Sequence, residues 1–287
     1  MSRLASVVRG EALPAPIFTP LVGAFAAAIT QTTPETFQRS AQAQAASLAE
    51  AARLFGLDAI TVGLDPAALV EAVGAGVDWS GGRGVVRSVP AAASVGDADR
   101  ALDPEAFVAL DVAGRLGQTL GGATEVIGVV PGVATLARLL ATGSDDPAEA
   151  AAAEKLAARL VIEVARGFGE ARAAAVLVLD DAAGFAAEPS AAARRAERVL
   201  ANSAAFFDLT LLRAVPPGAA ADAERIAPAK GALPADAPVS GVPSATPVAP
   251  GEPVGVASGW YTSAGELDPA LPPELLHDLV GALRADP

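Results

Sequence analysis

The chain has 287 residues, 52% of them hydrophobic but only 4% aromatic, and carries a formal net charge of −13. That length can bury a full core, and the acid excess argues against a surface built to collect nucleic-acid phosphates or anionic lipid. Cysteine is absent, His277 is the single histidine, and Lys155 and Lys230 are the only lysines; disulfides, thiolate metal sites, a Ser–His–Asp triad and a histidine-rich metal cage are therefore excluded, and a lysine Schiff base has little to draw on.

Arg3 and Arg9 precede an apolar stretch at 12–29, a loose imitation of a signal peptide. Glu11, Pro14, Pro16 and Pro20 interrupt it too often for a membrane helix. With Met1 in place no cleavage is expected, and the expected location is cytoplasmic. Residues 15–19 (APIFT) read as a short buried strand. Thr33 then caps a helix that Pro34 begins, with a core stripe of Phe37, Ala41, Leu48, Ala52 and Phe55.

The chain is organised around residues 51–74, AARLFGLDAITVGLDPAALVEAVG. A helix stops at Gly56, the apolar strand Ala59–Val62 follows, and the strand empties into Gly63-Leu64-Asp65 before Pro66 opens the next helix. The same start signal recurs at Asp103-Pro104 and Asp146-Pro147, where Glu149 completes the spacing of a capping box. Further strands are expected at 84–89, 125–130, Ala175–Leu179, 206–212 and 254–257, and helices at 104–120, 147–168, 190–204 and 272–283.

Alternating helices and fully apolar strands predict a parallel sheet covered by helices. The fold expected is α/β, a (β/α)8 TIM barrel formed by residues 1–287 as a single domain. Its C-terminal quarter is shortened: the stretch 228–253 holds seven prolines and has room for a strand near Val239 but not for a normal helix.

A family resemblance rests on Arg9-Gly10-Glu11 before a proline-flanked strand, on FGLDAITVGLD with Glu71-Ala72-Val73-Gly74, and on Val126-Ile127-Gly128 followed by Pro131-Gly132-Val133-Ala134-Thr135-Leu136. The AAAVLVLDDAAG segment and the closing GWYTSAGELDPALPPELLHDLV extend it. Together they resemble the uroporphyrinogen decarboxylase-like superfamily, with its cobalamin-independent methionine synthase and corrinoid methyltransferase relatives. The resemblance implies a barrel whose site lies at the C-terminal ends of the strands. It places Asp65 where the decarboxylases carry an aspartate that binds pyrrole N–H groups and stabilises the cation formed before carbon dioxide leaves. The departures are equally plain. Pro20-Leu21-Val22-Gly23-Ala24-Phe25 lacks the arginines that hold substrate carboxylates, Leu211-Leu212-Arg213-Ala214 lacks the methyltransferases' zinc ligands, and Trp260 and Tyr261 stand near the decarboxylases' C-terminal histidine.

Each candidate has a plainer structural role. Asp65 is the catalytic candidate and equally an N-cap, worth about 1 kcal/mol. Asp180 and Asp181 end a strand and could bind substrate, a magnesium ion or a shared proton, or form a solvated loop pair. Arg213 and Arg87 could hold a substrate anion through the guanidinium fork, or pair with local acids. Trp260 and Tyr261 could wall a pocket or pack on the rim. Thr19 and Thr135 could hydrogen-bond a ligand or backbone, and His277 belongs to a helix far from any strand end. The glycines at 74–76 and 81–84 do not join a strand to a helix in dinucleotide-binding order and read as turns.

The expected activity is that of a metal-free lyase, decarboxylase-like, acting on a small acidic molecule with no cofactor. Two alternatives stand beside it: a catalytically degenerate barrel acting as a binding or partner protein, and a methyl or acyl transferase relying on a partner for its cofactor. A small-molecule substrate is expected, with no nucleic acid and no membrane, and the acidic surface leaves homo-oligomer or partner-protein assembly open.

Overall fold

Strands apolar at every position need cover on both faces, and the computed structural model shows how the chain provides it. It describes residues 3–8, 17–92, 103, 105–214, 240–242 and 260–285. In chain order these form α1 (Arg3–Val8), β1 (Ile17–Leu21), α2 (Gly23–Ile29), α3 (Pro34–Arg39), α4 (Ala41–Phe55), β2 (Ala59–Val62) and α5 (Pro66–Ala72). Then come β3 (Gly76–Asp78), β4 (Val85–Ser88), α6 (Ala109–Leu120), β5 (Glu125–Pro131), α7 (Val133–Leu140), α8 (Pro147–Glu170) and β6 (Ala175–Leu179). The order closes with α9 (Ala182–Ala186), α10 (Ala191–Phe206), β7 (Thr210–Ala214), β8 (Ser240–Val242), β9 (Trp260–Glu266) and α11 (Pro273–Ala285).

Two parallel sheets make the barrel wall, one in the order β2-β5-β6-β7 and one in the order β1-β9-β8. The starts of β1 and β2 are tied together, because the Phe18 N–H donates to Asp58 Oδ2 at 3.0 Å and the Asp58 N–H to the Phe18 carbonyl at 3.3 Å. The wall therefore runs β8-β9-β1-β2-β5-β6-β7.

The period of two along each strand sorts its side chains into two cores. Ile17, Leu21, Ala59, Ile127, Val129, Ala175, Leu177 and Leu212 meet inside the barrel together with Leu4 of α1. Phe18, Ile60, Val62, Val126, Val130, Val176, Val178 and Leu211 face outward into the helix layer. The N-terminal helix is anchored at the start of β5, where the Arg3 and Leu4 N–H groups donate to the Glu125 carboxylate at 2.9 and 3.1 Å. The Arg3 guanidinium also pairs with Asp58 at 2.5 Å. Scarcity of large aromatics is met by close approach: the Phe168 ring of α8 lies directly over Gly128 of β5, leaving no space for a Cβ.

Several expectations need correction. The 84–89 stretch is not a barrel strand, because β4 pairs antiparallel with β3 in a separate two-stranded hairpin between α5 and α6. The helix after Thr33 is two helices, since Ser40 takes an extended conformation and caps the second by accepting the Ala43 N–H at 3.2 Å. An additional helix, α2, fills the segment after β1. The 206–212 strand begins at Thr210 instead, because Phe206 still closes α10. Helix 104–120 starts at Ala109. Trp260 and Tyr261 open the last strand and do not follow it, pairing with Ile17 and Phe18 at the start of β1. The 254–257 strand and all of the proline-rich stretch save β8 lie outside the described residues. Among the described residues no helix is long and apolar enough to cross a membrane.

Candidate active site

The C-terminal ends of β1, β2 and β9 bring two half-buried carboxyl groups and one exposed arginine together. The first is Asp65, three residues past β2. Its side chain caps α5, with Oδ1 accepting the Ala67 N–H at 2.9 Å, and Pro66 leaves no competing donor at the first helical position. The second oxygen, Oδ2, reaches away from its own helix and accepts the Gly84 N–H at 2.8 Å, so Asp65 also holds the tip of the β3–β4 hairpin. Gly84 has to be glycine for this, as a Cβ there would collide with Ala67 and the Trp79 ring.

The second carboxyl is Glu266, the last residue of β9, whose side chain is only 13% exposed. Its Oε1 accepts the Ala24 N–H at 2.5 Å at the beginning of α2, and a Cβ on Gly23 would occupy the space that oxygen needs. Arg83, at the hairpin tip and 71% exposed, places Nε 3.6 Å from Glu266 Oε2.

Burial pushes both carboxyls above their ordinary values. For Asp65, the Gly84 and Ala67 N–H donors and the Arg83 charge pull the other way. For Glu266, the Ala24 N–H and Arg83 oppose burial, while the negative charge of Asp65 adds to it. Two acids with elevated proton affinity, close enough to repel, beside a cation that solvent and solutes can reach, form a constellation for proton transfer at an anionic molecule.

The other strand-end residues meet elsewhere. Arg213 and Asp180 follow the outward-facing parity of Leu211, Val176 and Val178, so they lie on the helix side of the wall. There the Arg213 guanidinium pairs with Asp180 Oδ2 at 3.0 Å and Glu197 Oε1 at 2.7 Å, and Thr135 donates to Asp180 Oδ1 at 2.7 Å. Both acids raise the proton affinity of Arg213 against the opposing effect of burial, and its Nε has no partner. Asp181 caps α9 by accepting the Gly184 N–H at 2.7 Å and pairs with Arg138. Three of the expected ligand-binding residues, Thr135, Asp180 and Arg213, are thus brought together in a polar cluster beneath the helices that closes on itself save for the Arg213 Nε. The arginine beside Asp65 at the mouth is Arg83, and Arg213 lies with Asp180.

Arg87 sits on β4, exposed, and pairs with Asp78 across the hairpin at 2.8 Å, not in the mouth. That partner is the first cause holding the Asp78 carboxyl well below its usual range. Trp260 and Tyr261 begin β9 at the opposite end of the barrel from Glu266, where no mouth wall can be built from their positions. Thr19 is buried with the inward parity of Ile17 and Leu21. Thr61 shares that interior on β2, and its buried hydroxyl has no partner. His277 is exposed on α11.

Sequence reasoning missed Glu266, Arg83 and Thr61. The one trace available was glycine placed against function: Gly23 opposite Glu266, and Gly84 next to Arg83. A separate cavity of about 300 Å³ lies on the helix side of β2, walled by Arg39, Gln44, Gly63, Glu71 and Phe107 among others. Gln44 Oε1 is buried there without a partner.

A family model described as uroporphyrinogen decarboxylase (URO-D) matches residues 1–196. The chain belongs to that family. The matched span contains Asp65 and Arg83, and Glu266 lies beyond it. Among solved structures, a methyltransferase from Methanosarcina mazei aligns with a TM-score of 0.72 at 17% identity, covering 98% of this chain and 97% of that one. At that identity the likeness establishes the shared fold, a TIM-type barrel. No curated protein matches the chain. The sequence has no cysteine, and no three His, Asp or Glu side chains converge among the described residues.

Proposed function

We propose that this member of the uroporphyrinogen decarboxylase family is a lyase that removes a carboxyl group from a small acidic molecule at the β1/β2/β9 rim. The observation that carries the reading is the position of Asp65. It is fixed by two backbone N–H groups, raised in proton affinity by burial, and set beside a second acid and an exposed arginine. Arg83 holds a carboxylate of the substrate. Asp65 faces the reacting carbon and stabilises positive charge that develops when the substrate is protonated, a preorganised electrostatic role in which the fixed geometry costs nothing at the moment of reaction. The breaking bond joins that carbon to the departing carboxylate; its electron pair stays on the carbon, and a proton replaces carbon dioxide.

The test is carbon dioxide release from a panel of small carboxylic acids by the wild-type protein and by Asp65→Asn. The amide retains the cap through Oδ1 but loses the charge and the second acceptor, which holds the Gly84 N–H, and an acid–base or electrostatic role predicts a drop in kcat of about 10²-fold or more. Equal rates in the two proteins, or no turnover of any acid, would contradict the proposal.

A second reading is transfer of a methyl or acyl group whose cofactor arrives on a partner protein, and the methyltransferase named among the solved neighbours supports it. Copurification of a corrinoid-bearing protein would favour transfer over decarboxylation.

A further inference from the structure

Glu266 has no part in the proposed reaction, yet it sits against Arg83, where the charge of a bound substrate acts on it. Its carboxyl is nearly enclosed. The groups facing it are the Ala24 N–H from the start of α2, Arg83 from the hairpin tip, and Asp65 with Leu64 from the turn after β2. Arg83 is therefore the only cation facing it among the described residues. The contact between them is loose, 3.6 Å at Nε, and the arginine side chain is 71% exposed. An incoming carboxylate finds Arg83 accessible and loosely engaged, and the bidentate pairing that guanidinium and carboxylate geometry favours lies open to it.

We infer that a small carboxylate binding at Arg83 displaces Glu266 as its ion partner, and that Glu266 takes up a proton from solvent in response. It is then the proton source of the reaction. The physical reason is the arrangement of charges. With Arg83 neutralised by the ligand, Glu266 is left buried beside Asp65 and beside the ligand's own negative charge, with one backbone N–H for support. A buried carboxylate in that position is relieved by protonation. The proton is delivered to the substrate carbon as the bond to the carboxyl group breaks, so that R–COO⁻ and H⁺ become R–H and carbon dioxide, and Glu266 returns as carboxylate to Arg83. Asp65, held by two backbone N–H groups where Glu266 has one, remains the charge-stabilising member of the pair. Arg83 thereby sets specificity for a carboxylate, and proton loading is coupled to substrate arrival.

This mechanism rests on the proposed lyase reading for its purpose, but its test does not depend on turnover. The Glu266 side-chain carboxyl is followed by ¹³C NMR across a pH titration of the whole protein, with succinate as the probe and sodium chloride at matched ionic strength as the control. Succinate is expected to raise the midpoint of Glu266 by about one unit, the scale on which a neighbouring charge acts, and chloride is expected to leave it in place. Arg83→Met, an exposed change that leaves the core untouched, is expected to raise the midpoint without ligand and to abolish the response to succinate. A Glu266 midpoint that ignores succinate, or one that Arg83→Met leaves unmoved, overturns the inference. Coupled proton uptake in a protein that releases no carbon dioxide would remove the lyase reading and leave the coupling standing; turnover with an unresponsive Glu266 would do the reverse.

Discussion

At the scale of the residue, the two rim acids make opposite demands on stability and function. Glu266 binds a proton more tightly folded than unfolded, because burial raises it above its ordinary value. Its contribution is most favourable below the ordinary carboxylate range and is lost as pH rises through the raised value. Glu266→Gln keeps an oxygen for the Ala24 N–H and removes the buried charge, so its Tm should exceed that of the wild type at neutral pH, with the gap narrowing in acid. Thermal denaturation at both pH values checks this, and a lower Tm at neutral pH would mean that the Arg83 attraction outweighs burial. The Asp180 cluster behaves differently. Asp180→Ala strips a buried ion partner from Arg213, whose Nε already lacks one, and should cost about 3 kcal/mol in urea denaturation. Because that cluster lies behind the wall, succinate binding should be unchanged in the variant.

At the scale of the element, what could be read from sequence was what local chemistry decides. Three of the four Thr-Pro and Asp-Pro starts cap helices as expected: Thr33 accepts the Thr36 N–H at 3.2 Å, Asp65 the Ala67 N–H at 2.9 Å and Asp146 the Ala148 N–H at 2.9 Å. Asp103 accepts the Glu105 N–H at 3.0 Å, but α6 begins only at Ala109. A cap involves three neighbouring residues and needs no knowledge of the rest of the chain. The same reasoning failed for Glu149, which does not return to its own helix N-terminus but accepts the Ala92 N–H from another segment. It failed again for Arg213 and Asp180, where strand register, and not strand identity, chooses the face. A one-residue difference in parity separates the barrel interior of Leu212 from the helix layer that Leu211 and Arg213 share. Glu266 was out of reach altogether, since its partner Ala24 stands 242 positions away in the chain. Packing between elements is equally non-local. Gly128→Ala should cost about 2 kcal/mol by driving a methyl group into the Phe168 ring, and the same substitution at the uncrowded Gly114 of α6 should cost nothing or stabilise slightly.

At the scale of the whole molecule, the barrel separates two tasks that look alike in the sequence. Both the β1/β2/β9 rim and the β6/β7 rim end in acids with an arginine nearby. On one side the ionic groups close on each other beneath α10 and hold the helix layer to the wall. On the other, a hairpin inserted between α5 and α6 carries Arg83 out over two acids, Asp65 held by two backbone N–H groups and Glu266 by one and a loose ion pair. Two backbone amides report directly on those acids, Gly84 on Asp65 and Ala24 on Glu266. The most direct measurement is therefore an amide chemical-shift titration of the full chain with succinate. The account predicts that the largest shifts fall on Ala24, Arg83, Gly84 and Ala67, with Asp181 and Gly184 unmoved. Shifts centred on Asp181 and Gly184, or on Gln44 and its cavity, with Gly84 and Ala24 silent, would contradict it.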